Sequence, residues 1–105
     1  MFERMLILHL KLDENDEQIL FEAILKLETA DECKKFFEDL CTIQEIKAMC
    51  QRFLVAKMLI ENKVYSDIAE KTGASTATIS RVNRALNYGK NGYNLIFERI
   101  RNKKD

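Results

Sequence analysis

Residues 71–86 read KTGASTATISRVNRAL, and this stretch decides the fold. It contains a lone glycine, then short hydroxylated residues, then two arginines among apolar residues at helical spacing. The segment predicts a tight corner between two helices. Ile68 and Ala69 lie on the first helix, and Ala69 is small where the second helix crosses. Gly73 ends that helix, at a position where a left-handed backbone costs an L-residue about 1 kcal/mol and glycine little. Ala74 begins an apolar plug, and Ser75 can cap the next helix by accepting an amide hydrogen bond. Ile79 and Val82 return to the core at i and i+3, with Leu86 one turn further. The order is small apolar, three residues, Gly, apolar, four residues, apolar, two residues, apolar. It meets the packing requirement of a DNA-binding helix-turn-helix at each constrained position.

The outward face of the second helix carries Thr76, Ala77, Ser80, Arg81 and Arg84, with Ser75 and Thr78 at its start. Short Thr, Ala and Ser side chains let a helix approach base edges, exchange hydrogen bonds with them or touch a thymine methyl. Arginines near the middle and end can reach phosphate or guanine. Ser66, Asn87 and Lys90 are further candidates for phosphate contact. No Asp or Glu occurs from 73 to 97, which suits a surface that meets phosphates. The competing reading is a solvated helix face on a helical protein-interaction module, but such a face draws Glu as often as Lys or Arg.

Composition narrows the alternatives. A chain of 105 residues, 47% of them apolar, fits one folded domain with a modest core, which favours association with a second copy. The absence of proline and the presence of only three glycines point to helix. No apolar run reaches the 18 or so residues needed to cross a bilayer. The start, MFERMLILHLKL, carries Glu3 and no small-residue cleavage site, so it does not read as a signal peptide and a cytoplasmic location is expected.

Cys33, Cys41 and Cys50 form no C-x-x-C pair and are expected to be reduced, buried and structural. His9 is the only histidine, so neither a metal site nor a Cys–His catalytic pair is indicated, and no cofactor is expected. Paired carboxylates in a plausible pocket and a Gly-rich phosphate loop are also missing, which argues against an enzyme. The zero net charge hides a polarity. Residues 1–45 hold 12 acidic and 5 basic residues, a net of −7, whereas residues 46–105 hold 5 acidic and 12 basic, a net of +7. A polyanion would bind the C-terminal half.

Six helices are predicted. After LDEND, apolar residues at Ile19, Leu20, Ala23, Ile24 and Leu27 mark an amphipathic helix capped by Asp13 or Asn15. TADE, with Thr29 and Glu32, is a capping-box signature for a short helix through Phe36, Phe37 and Leu40. TIQE, with Thr42 and Glu45, repeats it and opens the longest helix, about 43–61, with a stripe of Ile46, Met49, Cys50, Phe53, Leu54, Met58 and Leu59. ENKVY breaks the pattern before helices at about 66–72 and 76–86. NYGKNG is a turn, and Tyr93, Ile96, Phe97 and Ile100 define the last helix.

LCTIQEIKAMCQR (40–52) followed by TGASTATISRVNRALNYG (72–89) resembles the Trp-repressor superfamily, and within it the YerC/YecD-type branch. The resemblance covers about residues 13–102. It implies an all-α, six-helix fold with a helix-turn-helix, assembled as an intertwined homodimer that binds double-stranded DNA and regulates transcription, repression being the expected mode. The whole chain would be one such domain, with residues 1–12 as an extra N-terminal arm. Residues 13–61 and 90–102 would form the dimer core, and 65–86 the helix-turn-helix. The resemblance also implies an effector pocket at Thr42, Arg52, Arg81, Val82 and Ala85. Val82 stands where the family's best-known member has a glycine against the indole of L-tryptophan, and Ala85 replaces a serine that helps hold the ligand's ammonium. A valine fills much of the indole space and the lost hydroxyl removes a polar partner, so tryptophan is not the expected effector. A different small molecule stays open.

Overall fold

The computed structural model describes residues 13–103, which form six helices and, among the described residues, no strand. They are α1 (Glu14–Ile24), α2 (Ala30–Leu40), α3 (Ile43–Ile60), α4 (Tyr65–Thr72), α5 (Thr76–Tyr88) and α6 (Gly92–Asn102). The chain divides into two compact units, Met1–Cys41 and Thr42–Asp105. The expected arm at 1–12 and His9 lie outside the described residues.

In the first unit Asp13 caps α1, its Oδ1 accepting from the Asp16 amide at 2.8 Å. Glu14, Asp16 and Glu17 fill the first turn, where the helix dipole favours negative charge. The helix stops at Ile24, short of the expected Leu27. There the backbone tightens into i to i+3 bonds from Lys26 to Ala23 and from Leu27 to Ile24, each 3.0 Å. Thr29 caps α2 by accepting from the Glu32 amide, but the reciprocal half of the expected capping box does not form. The Glu32 carboxylate takes the amide of Glu28 instead, at 2.8 Å, one residue ahead of the cap. No described residue of this unit is buried. Ile19, Phe21 and Leu40 are exposed, and Leu25 is 81% exposed.

The second unit opens with the complete capping box. The Glu45 amide donates to Thr42 Oγ1 at 3.1 Å, and the Thr42 amide donates to Glu45 Oε1 at 2.8 Å. α3 ends in a Schellman motif on a left-handed Asn62, φ 66°, with Lys63 N–H reaching Met58 O and Asn62 N–H reaching Leu59 O. Lys57 bonds Glu61 at 2.7 Å over this last turn, and that hydrogen bond holds the Glu61 carboxyl below its ordinary value.

The core consists of Val55 and Ala56 from α3, Ile68 from α4, Ala74 from the corner, and Ile79 and Val82 from α5. Met58, Leu59, Ala69, Leu86, Tyr93 and Phe97 pack around it. Val55 and Ala56, the fully buried residues of α3, lie outside the stripe expected from sequence. α3 is apolar on two faces: α4 and α5 cover the Val55 side, while Met49 and Phe53 remain partly exposed. α6 lies along Phe53, with Phe97 stacked on it at 4.8 Å and Tyr93 tilted against it at 6.5 Å. The cysteines depart from expectation. They are free, but Cys33 and Cys50 are exposed and Cys41 is half-buried, because each lies where the described helices leave it uncovered.

The corner forms as the sequence requires. Gly73 is left-handed at φ 75°, and its amide bonds Ala69 O at 2.8 Å. Thr72 adds what the sequence did not reveal. Its hydroxyl donates to Ile68 O at 2.7 Å and accepts from the Ala74 amide at 3.1 Å, while its own carbonyl accepts from Gln51 Nε2 at 3.1 Å. Ser75 Oγ then caps α5 through the Thr78 amide. α5 runs to Tyr88, two residues further than expected, and the turn is confined to Gly89–Asn91. A Cβ at residue 89 would lie 2.4 Å from the Ala85 carbonyl oxygen, so only glycine fits that close approach. Asn94 closes the turn by donating to Leu86 O and to Asn91 Oδ1, each at 3.2 Å.

Replacing Gly73 with Ala is expected to lower stability by about 1 kcal/mol in urea unfolding. The nearest atom to the added Cβ is Gln51 Nε2 at 3.9 Å, so the cost is in the backbone and Gly73→Asn is expected to cost less. Ser75→Ala is expected to cost about 1 kcal/mol and Ser75→Asp to restore the loss, because aspartate also caps. Equal stability of Ser75→Ala and the native chain would show that the cap contributes nothing.

Candidate nucleic-acid interface

Burial of Ile79 and Val82 fixes which side of α5 faces outward. At 3.6 residues per turn, the opposite side presents two ridges. One carries Thr76, Ser80 and Arg84, and the other Ala77 and Arg81, and all five are exposed. Over its 13 residues α5 is about 20 Å long, and the small residues occupy its N-terminal half. A helix offered end-on to the major groove brings that half closest to base edges.

The electrostatics are one-signed. No acidic residue lies between Glu70 and Glu98, and α5 has none in its first turn. Among the described residues, neither Arg81, Arg84 nor Lys90 has an acidic partner within 4.0 Å. Their charges therefore face solvent without an internal counterion, as a surface for phosphates requires.

The other expected residues divide by what already holds them. Ser75 and Thr78 bond each other through their hydroxyls at 3.1 Å while capping the helix, and Thr78 is half-buried, so both serve the helix end. The Asn87 side-chain amide donates to Asn83 O at 2.8 Å, which ties it back along α5 and leaves its oxygen free to accept. Lys90 lies exposed in the turn after α5. Ser66 is exposed in the first turn of α4, which has no side-chain cap, so its leading amides remain open. Tyr88, 86% exposed at the end of α5, was not singled out by sequence.

The residues of the expected effector pocket have different surroundings within one chain. The Thr42 hydroxyl caps α3, and Arg52 and Arg81 are exposed. Val82 is only 2% exposed, so its branched side chain is core. Ala85 lines a cavity of about 420 Å³ with Phe53, Lys90, Gly92, Tyr93 and Ile96, and that cavity includes none of the other four.

Residues 15–101 match the Trp repressor protein family. YerC of Bacillus subtilis (strain 168) is 52% identical over 82 residues, which is 78% of this chain and 79% of YerC. A TrpR-like protein from Eubacterium eligens ATCC 27750 is 64% identical, with a TM-score of 0.79 over 84% of this chain and 90% of that one. A candidate Trp repressor from Staphylococcus aureus is 46% identical, with a TM-score of 0.82 over 85% and 89%. With a helix-turn-helix corner, an acid-free outward helix and these relatives, the chain belongs to the Trp repressor protein family.

Proposed function

We propose that the protein is a sequence-specific, DNA-binding transcriptional regulator, a repressor in mode, acting in the cytoplasm as a homodimer on a pseudo-palindromic operator. The observation that carries this is the outward face of α5: small polar side chains beside arginines that have no counterion among the described residues. Thr76, Ala77 and Ser80 read base edges, with Arg81 beside them. Arg84, Lys90 and Ser66 lie along the backbone path, with Asn87 between the first two in sequence. Two copies present two such helices to half-sites about 34–36 Å apart.

The homodimer is supported by apolar surface that one chain leaves uncovered. Ile19, Phe21 and Leu25 in the first unit, and Phe53, Ile96 and Ile100 in the second, are all exposed. Burying such residues stabilises by roughly 25 cal/mol per Å², and a second copy is the partner the family implies. L-tryptophan is not the effector in this reading, because Val82 is core and Ala85 offers no hydroxyl.

Sedimentation is expected to give a dimer, and a fluorescence titration is expected to prefer one selected duplex over random DNA. Arg84→Ala should reduce the slope of log K against log salt by about 0.9 for each phosphate that Arg84 neutralises. Thr76→Glu with Ser80→Glu should abolish binding while the dimer stays folded. Survival of regulatory activity in that double variant would favour a protein-interaction module instead. Millimolar tryptophan should leave the melting temperature unchanged, since any ligand of the native state raises it.

A further inference from the structure

The side chain of Gln51 donates from Nε2 to the carbonyl oxygen of Thr72 at 3.1 Å, across 21 residues of chain. Among the described residues no other hydrogen bond spans more than eight. We propose that Gln51 is a positioning residue for DNA reading: it sets the angle at which α5 is presented and so determines the preference for one sequence over another. This role rests on the DNA-reading function proposed above.

The remaining ties between α3 and the helix-turn-helix are apolar: Val55 and Ala56 against Ile68, Ala74, Ile79 and Val82. Such packing holds two elements together but has little directional preference, whereas a hydrogen bond weakens steeply as its angle opens. Gln51 lies one turn ahead of Val55, on the same side of α3. Its acceptor belongs to the last residue of α4, whose carbonyl has no partner within the helix. That carbonyl immediately precedes the left-handed Gly73, and α5 begins four residues later. A rotation about the corner therefore moves Thr76, Ala77 and Ser80 together. Base-edge hydrogen bonds are lost over small displacements, but attraction between arginine and phosphate persists over several ångströms. Loss of the Gln51 bond should accordingly reduce discrimination more than overall DNA attraction. A cleft of about 390 Å³ lined by Ile46, Lys47, Cys50, Leu54 and Lys71 adjoins Gln51 and Thr72, so an altered side-chain end fits without displacing the core.

The test compares the native protein with Gln51→Met and Gln51→Glu. Binding is measured on a duplex that the native protein selects from a random pool and on a scrambled duplex of equal length. Gln51→Met, similar in size and without a donor, should bind the selected duplex about three- to tenfold more weakly. Its affinity for the scrambled duplex and its salt slope should not change. Gln51→Glu should lose more, because a carboxylate faces the Thr72 carbonyl without a proton to offer. Hydrogen exchange at the Gly73 and Ala74 amides should accelerate in both variants while the Ile79 amide keeps its rate. Equal losses on the two duplexes, or unchanged corner exchange with unchanged preference, would overturn the role of Gln51. A native protein that selects no duplex would overturn the DNA-reading function itself, and this role with it.

Discussion

Everything in the second unit depends on the burial of Ile79 and Val82 against Val55 and Ala56. This packing decides which half of α5 is core and which half is surface, and so which residues can meet a ligand. Cavity formation at such a site costs several kcal/mol, on the order of 2–5 for Ile→Ala, a large share of the stability of a small domain. The tightness of the packing also limits what can be placed there. A valine at position 82 completes a closed core, only 2% exposed.

The corner was the most legible part of the sequence, because local rules govern it. A left-handed glycine, a serine cap and apolar residues at i and i+3 each have one straightforward reading, and all occur within the ten residues from Gly73 to Val82. Helix starts at Asp13 and Thr42 were legible for the same reason. The Thr29 signature was only half informative, since a glutamate three residues on can take whichever free amide is nearer, and here Glu28 supplies it.

The interior of α3 was less legible. A helix apolar on two faces gives no single stripe, and sequence periodicity cannot tell which face the rest of the chain covers. The role of Gln51 is silent in the sequence for a related reason: its partner is a backbone carbonyl, which leaves no mark in the amino-acid sequence. Asn87 and Tyr88 have the residue types of a turn, yet α5 runs through both, and the close approach at Gly89 sets the stop. For the outward side of α5, exposure was predictable from periodicity, but the commitment of Ser75, Thr78 and Asn87 to local bonds was not.

The placement of the tyrosines has an optical consequence. The chain contains no tryptophan and three tyrosines, Tyr65, Tyr88 and Tyr93, all in the second unit. Ultraviolet emission from the protein is therefore dominated by phenol rings, with no indole to mask them. Tyr93 lies in the aromatic stack on Phe53, Tyr65 begins α4, and Tyr88 stands almost wholly in solvent at the end of α5. The molecule thus carries a native fluorophore at the far end of α5, and a change in the surroundings of that helix can be followed without attaching a dye.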